Sequence, residues 1–358
     1  MMSTSVSIDE TAVQEFAERA VSHFSGALTV ALCYLGDRLG LFTTLNGQGP
    51  MAPQQFAAQA GIDERYAAEW LRALAAQGYL ECDRKTGRYG LSQEHAVVLA
   101  EEGSPGFLGH AYNAFPALVG QTGRLLEAFR NGGGLSMDEY PDDLWAGIER
   151  SSGVWSGNSL LQEWIPAMPV VQEKLEAGCE YADVGCGAGR ALINLARAYP
   201  RSRFTGYDLF PGQVDRARAS LEAHGLADRI RVEVADAAEG LPQTYDVVST
   251  YDVVHDAADP LRLLKGIRSA LKRDGVYVCM DFNCADRHEE NEGPIAAMLY
   301  GFSIFYCMTT SLANGGAGLG TCGLPEATCR ELCERAGFSK VRRVPIENSF
   351  NSLYEVCA

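Results

Sequence analysis

The chain has 358 residues, 47% of them hydrophobic and 21% charged, with a formal net charge of −16. That length exceeds one ordinary domain and points to two, and the composition is that of a folded protein rather than a disordered one. So acidic a surface repels nucleic acid and anionic membrane, and argues against both as partners.

From residue 11 to about 45, apolar residues recur at helical spacing: Val13, Phe16, Ala20, Phe24 and Leu28, then Leu32, Leu35, Leu39 and Phe42. This predicts two helices whose apolar face packs within the domain or against a second subunit. Pro50 to Glu81 predicts two short helices around a turn at Gly61, with Asp63 as N-cap of the second and Gly78 closing it. Tyr79–Cys82 and Arg88–Leu91 then read as a hairpin around Lys85-Thr86-Gly87. Helix-turn-helix plus hairpin is a winged helix. Residues 1–100 hold 11 acids against 7 Lys and Arg, a net of −4. With no basic recognition stripe, a structural or dimerising module is expected rather than a DNA reader.

Asn131-Gly132-Gly133-Gly134 is a candidate hinge, and residues 141–178 look helical, with Trp145, Trp155 and Trp164. Strands and helices then alternate: Tyr181–Val184, a helix from Arg190, Arg203–Tyr207, a helix from Pro211, Ile230–Val234, Tyr245–Tyr251, a helix from Asp259, and Val276–Phe282. That rhythm calls for a parallel sheet with right-handed crossovers. Lys340–Val344 and Ser352–Val356 fit an antiparallel edge pair. Pro294–Ala313 carries no charge over 20 residues; its Ser, Thr and Tyr content favours a buried helix over a membrane span. In Gly315–Gly323, five glycines in nine residues suggest a mobile lid.

The first βα turn carries the chemistry. Asp183-Val184-Gly185-Cys186-Gly187-Ala188-Gly189 follows a buried strand and opens a helix, and Asp208 ends the next strand. The G-x-G-x-G spacing is not the G-x-G-x-x-G that seats a pyrophosphate, which disfavours a nicotinamide dehydrogenase and favours a nucleoside ligand such as S-adenosylmethionine. Gly185, Gly187 and Gly189 let backbone approach the ligand, and the helix start offers free N–H groups to a carboxylate. Asp183 is expected to take the ligand's amino group or fix the loop, Asp208 to grip the ribose hydroxyls, and Asp236 to meet the adenine amino group. Leu209, Ala237 and Tyr251 complete the expected cofactor lining. His255 follows the fourth strand, at the edge where such sheets bind ligands, and can accept a proton.

These features resemble the class I S-adenosylmethionine-dependent methyltransferases. Asp183-Val-Gly-Cys-Gly-Ala-Gly-Arg190 is similar to that family's first motif, and Asp208 to its ribose acid. The winged-helix N-terminus, His255-Asp256, and Glu331-Leu-Cys-Glu-Arg-Ala-Gly-Phe338 resemble the small-molecule O-methyltransferases of plants and antibiotic pathways. The resemblance implies His255 as general base, Asp281 as the acid that orients it, and a winged domain that supports dimerisation and substrate capping. Two departures stand out: a second family acid, falling near Gly323, is absent, and Ala257-Ala258 replaces the usual aromatic after His-Asp.

The reading is therefore an α/β protein with a doubly wound, Rossmann-like methyltransferase sheet and a mostly α winged-helix domain, divided at 1–135 and 136–358. It is expected to transfer a methyl group to a small-molecule acceptor, with a hydroxyl favoured over sulfur, nitrogen or carbon, and with a cofactor-sensing regulator as the other alternative. Trp155, Trp164, Tyr300, Phe305 and Met308 are expected to line the substrate pocket. The 11 cysteines read as reduced, small buried hydrophobes. Cys329 and Cys333 lack a fourth ligand at sensible spacing, so no metal is expected. A polar first decad without an apolar leader makes a cytoplasmic protein the expectation, and the dimerising winged domain that the resemblance implies makes it a homodimer.

Overall fold

The computed structural model describes residues 8–358, which divide into two compact units after Pro116. The first holds α1 (Glu10–Arg38), α2 (Leu41–Leu45), α3 (Pro53–Ala60), α4 (Glu64–Ala76), β1 (Glu81–Asp83), β2 (Arg88–Gly90) and α5 (Gln93–Leu99). The Asp63 carboxylate accepts the N–H groups of Arg65 and Tyr66 and caps α4, while Gly61 takes a left-handed φ of 68° to end α3. The β1–β2 hairpin is the wing, and Met51 pairs with Tyr89 to extend it. The core is aromatic: the ring of Trp70 lies 5.2 Å from Phe42 and stacks at 5.8 Å on Phe56, and its indole N–H donates to the Leu32 carbonyl.

The long N-terminal stretch differs from expectation. α1 is one 29-residue helix, started by Asp9, because nothing between Val13 and Leu35 breaks the helical backbone. Much of its apolar stripe stays outside the unit's core: Val13, Phe16, Phe24, Leu28 and Leu35 remain exposed, while Leu32 and Cys33 pack inward.

The chain continues through α6 (Gly109–Val119), α7 (Thr122–Asn131) and α8 (Asp142–Trp155), then a π-helical run, Ser156–Trp164, and α9 (Pro169–Ala177). β3 (Glu180–Val184), α10 (Arg190–Ala198), β4 (Arg203–Asp208), α11 (Pro211–Ala223), β5 (Ile230–Val234), β6 (Tyr245–Tyr251), α12 (Pro260–Ala270) and β7 (Leu271–Phe282) follow. α13 (Gly293–Phe302) passes through a second π-helical run, Ser303–Cys307, into α14 (Met308–Ala313). α15 (Glu326–Ala336), β8 (Lys340–Val344) and β9 (Asn351–Cys357) end the chain. The seven strands lie in the order β5-β4-β3-β6-β7-β9-β8. β3 to β7 are mutually parallel, and β9 runs antiparallel to both β7 and β8. β3, β4 and β6 are buried nearly end to end, as expected of strands covered on both faces. The order reverses between β3 and β6, so the ligand crevice of a doubly wound sheet falls at their carboxyl ends.

Two expectations are corrected here. The compact division falls at 116, ahead of the 135 read from the glycine run. Gly134 is not a free hinge: a Cβ there would lie 1.8 Å from the Thr309 carbonyl oxygen, and the next residue, Leu135, donates its N–H to Thr309 Oγ1 at 3.1 Å. The helical stretch Gly293–Ala313 is long and apolar enough to cross a membrane by length and composition, yet its Thr309, Thr310 and Ser311 are buried against the second unit's own backbone.

Candidate active site

β3 delivers the chain to the glycine loop. Gly185, Gly187 and Gly189 all have positive φ, at 71°, 51° and 76°, a region other residues avoid. Each glycine has its own reason. A Cβ on Gly185 would lie 2.5 Å from Val253 Cγ2, whereas Gly187 faces clear space with nothing within 4 Å. Gly189 sets the chain into α10, whose first N–H groups point out of the helix. The N–H groups of Gly185 and Cys186 both donate to the Tyr207 carbonyl, at 2.7 and 3.0 Å, and so tie the loop to β4.

Asp208 ends β4 with its carboxylate turned onto the same loop. Oδ2 accepts the Gly187 N–H and Oδ1 the Phe210 N–H, both at 3.0 Å. Burial raises its carboxyl above the usual range, against those backbone hydrogen bonds. Asp183 is buried and accepts the Ser249 hydroxyl at 2.7 Å, and desolvation pushes it up to about 7. Asp183 thus fixes β3 to β6. Asp236 is exposed and caps the short turn Ala237–Glu239 by accepting the Ala238 N–H; Ala237 is buried behind it and Leu209 is exposed.

His255 and Asp281 come together. His255 Nδ1 lies 2.8 Å from Asp281 Oδ1, with both side chains almost wholly buried. It is an ion-pair contact, and neither Nδ1 nor Asp281 Oδ2 has an aligned hydrogen-bond partner, a looseness common in catalytic sites without substrate. Burial alone would lower the imidazole, but the Asp281 charge and the adjacent Cys307 outweigh it and hold His255 well above its ordinary value. Phe282 sets its ring edge-on, 5.1 Å away. Asp252 and Asp256, in the same loop as His255, are each pushed up to about 7, chiefly by burial.

The expected pocket residues separate into two groups. Trp164 is fully buried in the core of the second unit, stacked at 5.3 Å on Trp155 and near Tyr251; it is a packing residue, not a pocket wall. Tyr251 belongs to the same stack, and its hydroxyl lies 3.0 Å from that of Tyr181. Tyr300, Phe305 and Met308 are half-buried on the α13–α14 run, where Tyr306 meets Tyr140 and Trp145 edge-on. The glycine-rich segment is pinned over the His255 loop: Ala317 N–H donates to the Ala258 carbonyl and Gly320 N–H to that of His255. Among the described residues no group of three or more metal-ready ligands forms.

Several residues escaped the sequence reading. Ser249, Asp252 and Cys307 gain their meaning from distant partners. Arg190 directly follows the glycine motif, and its guanidinium donates twice to Glu149 of α8, at 3.1 and 2.6 Å.

Residues 182–277 match the family described as methyltransferase domain, and residues 26–101 the Rv2258c-like winged HTH domain. The ubiquinone biosynthesis O-methyltransferase of Cereibacter sphaeroides is 33% identical over 106 residues, covering 30% of this chain and 42% of that protein. The chain thus spans less than half the length of that relative. The 3-hydroxy-5-methyl-1-naphthoate 3-O-methyltransferase of Streptomyces sahachiroi is 29% identical over 73% of this chain and 74% of its own. Two solved structures share the fold across nearly the full length: PigF with SAH (TM-score 0.70, 21% identity, 95% of this chain and 99% of that one) and the mitomycin 7-O-methyltransferase MmcR (TM-score 0.64, 21% identity, 97% and 99%). The chain thus matches a methyltransferase domain model and a winged-helix domain model, and it shares the fold of these two solved structures.

Proposed function

We propose that this protein transfers the methyl group of S-adenosylmethionine to a hydroxyl of a small molecule, with His255 as general base and Asp281 orienting it. The observation that carries the reading is the buried His255–Asp281 contact in the loop that also packs Val253 on Gly185. The names of the relatives specify oxygen as the accepting atom in each of those proteins, which favours a hydroxyl here.

The residues present fit the cofactor. Gly187 leaves room where a Cβ would stand, the α10 N-terminus suits a carboxylate, and Asp208 stands at the strand end that reads ribose in doubly wound sheets. S-adenosylmethionine, when bound, supplies a methyl group activated by its sulfonium. The chain's own work is to hold the adenosyl moiety at Asp208 and the glycine loop, with Asp236 and Ala237 at its far end, and to align the acceptor. Alignment alone can offset about 7–11 kcal/mol of barrier. His255, with Nδ1 on Asp281, presents Nε2 to the acceptor and takes the hydroxyl proton, and Asp281 offsets the charge the imidazole gains.

A cytoplasmic homodimer without nucleic-acid partner is part of the same proposal. The exposed apolar residues of α1 suit a second subunit. On α4, Arg65 and Arg72 are both engaged by Glu69, so that helix offers no unpaired basic side chain to DNA.

Calorimetry with S-adenosylhomocysteine, followed by transfer of isotopically labelled methyl to panels of phenols, thiols and amines, tests the reading. Binding heat and labelled phenol products are expected. The absence of heat with either cofactor form would overturn the methyltransferase reading, and label on thiols or amines alone would overturn the hydroxyl.

A further inference from the structure

The glycine-rich segment Gly315–Gly323 and the pair Ala257-Ala258, which follows His255-Asp256, meet in the second unit. Gly316 accounts for both compositions. A Cβ there would lie 2.5 Å from Ala258 Cα and 2.6 Å from Ser311 Oγ, so a glycine must stand between the loop after β6 and α14. Gly318 and Gly320 take left-handed φ of 62° and 75°, and a Cβ on Gly320 would run into Ser303 Oγ. Residues 316–320 form no helix or strand, so their N–H groups need partners outside regular structure. The Ala317 N–H donates to the Ala258 carbonyl at 2.8 Å and the Gly320 N–H to the His255 carbonyl at 3.2 Å. The Thr321 N–H donates to Ser303 Oγ at 3.3 Å. Ser311 of α14 closes the circuit. Its hydroxyl donates to the Ala257 carbonyl at 3.0 Å and accepts the Gly318 N–H at 3.1 Å, and the residue is only 2% exposed. The segment is therefore a strap fastened at both faces, not the mobile lid its composition suggests.

We propose that Ser311 is a positioning residue for His255, its hydroxyl fixing the backbone that carries the imidazole, through Ala257 directly and through the strap from Gly318 to Gly320. This deepens the reading of His255 as the base and rests on it. Asp281 meets the ring at Nδ1 but does not hold the main chain on which the ring is mounted. Ser311 and the strap supply that second constraint, with hydrogen bonds to the carbonyls of His255, Ala257 and Ala258 in turn. One hydroxyl acts there as donor and acceptor at once, which an alanine cannot do. Without it the Ala257 carbonyl and the Gly318 N–H must find other partners, and the loop shifts to reach them. α14 also begins at Met308 and continues the stretch that carries Tyr300 and Phe305. The same hydroxyl thus ties the expected acceptor wall to the base.

The test has two arms. In the unaltered full chain, hydrogen exchange followed by NMR reads the amides of Gly318 and Gly320. A strap held by Ser311 protects both, and exchange at the rate of an open loop overturns the proposal. The second arm uses Ser311→Ala, shown to be folded by its thermal melt. Selective labelling resolves the ring signals of the six histidines, and loss in His255→Gln identifies the one that matters. The His255 ring lies edge-on to Phe282 at 5.1 Å, so its signals report small displacements. They are expected to move in Ser311→Ala, with kcat lowered by up to about 10²-fold and S-adenosylhomocysteine affinity unchanged. A purely structural role lowers the melting temperature and leaves the ring signals and kcat in place, and that result overturns the proposal. Should Ser311→Ala not fold, Ser311→Cys, close in size but a weak donor and acceptor, carries the second arm. Failure of the base reading shows separately, as full turnover in His255→Ala with the ring shift of Ser311→Ala still present.

Discussion

Asp208 Oδ2 accepts the N–H of Gly187 at 3.0 Å, so the carboxylate expected to read ribose also braces the loop that would cradle the rest of the ligand. Removing it therefore does two things: it deletes a ligand contact and frees a left-handed glycine. Hydrogen bonds to charged groups are worth about 1.5–3 kcal/mol each. Asp208→Ala should weaken S-adenosylhomocysteine binding at least about 10-fold, the lower end of that range. Asp208→Asn, which keeps one acceptor for Gly187, should lose less. Calorimetry on the two variants checks this, and equal losses would mean that the brace contributes nothing.

Gly185 offers an independent probe of the same loop. An added methyl would sit 2.5 Å from Val253 Cγ2 on a backbone at φ 71°. Val253 is β-branched and cannot rotate away cheaply, and left-handed backbone alone costs a non-glycine residue about 1–3 kcal/mol. Gly185→Ala should lower both the melting temperature and cofactor affinity. Adding Val253→Ala should restore part of the loss, because it removes the steric component and leaves the dihedral one. A double variant no better than the single would place the whole cost in the backbone.

The sheet was legible because its strands are short β-branched and aromatic runs alternating with helical segments; β5, β6 and β8 match the expected limits residue for residue. β7 begins at Leu271, earlier than Val276, because Lys272, Arg273 and Asp274 mask its pattern. The glycine motif and His255 were visible because each sits beside its own strand. Partnerships across the sheet were not: Asp183 and Ser249 are 66 residues apart, and no local spacing links them. Nor does periodicity distinguish a pocket aromatic from a core one. Trp164 and Tyr306 both lie on π-helical runs, yet the first is sealed in the core and the second partly exposed. The α1 stripe was legible as apolar, but its exposure depends on what else the unit can cover.

Asp183 gives the second unit a characteristic pH dependence. Its folded-state pKa of about 7 exceeds the unfolded value of about 3.9. Between those values the folded state holds a proton that the unfolded state has lost, so stability is fully present below the lower value and falls as pH rises towards 7. Asp252 and Asp256, raised in the same direction, add to the slope. Asp183→Asn keeps an acceptor for Ser249 and removes the ionisation. The variant should show a smaller drop in melting temperature between pH 5.5 and pH 8, with each kcal/mol of slope removed worth about 2–4 °C. Scanning calorimetry at the two pH values decides it, and an unchanged drop would exclude Asp183 as a source.

The pair at the centre of the proposed chemistry makes a prediction with a defined sign. A base must be neutral to accept a proton, and the Asp281 charge favours the protonated imidazole, so His255 stands well above about 6.5. Methyl transfer to the acceptor found in the panel should therefore rise with pH, with its midpoint on the alkaline side of that value. His255→Ala should cut turnover ~10²–10⁴-fold and leave S-adenosylhomocysteine affinity nearly intact, because a general base serves the acceptor and the imidazole's partner is Asp281, not the glycine loop. Asp281→Asn removes the charge that raises the imidazole. Its midpoint should move to lower pH while its plateau falls, since a weaker base works less well once fully deprotonated. Rate–pH profiles of the three proteins check both halves. A plateau lowered with no movement of the midpoint would assign Asp281 a purely steric role, and full turnover in His255→Ala would remove the imidazole from the reaction.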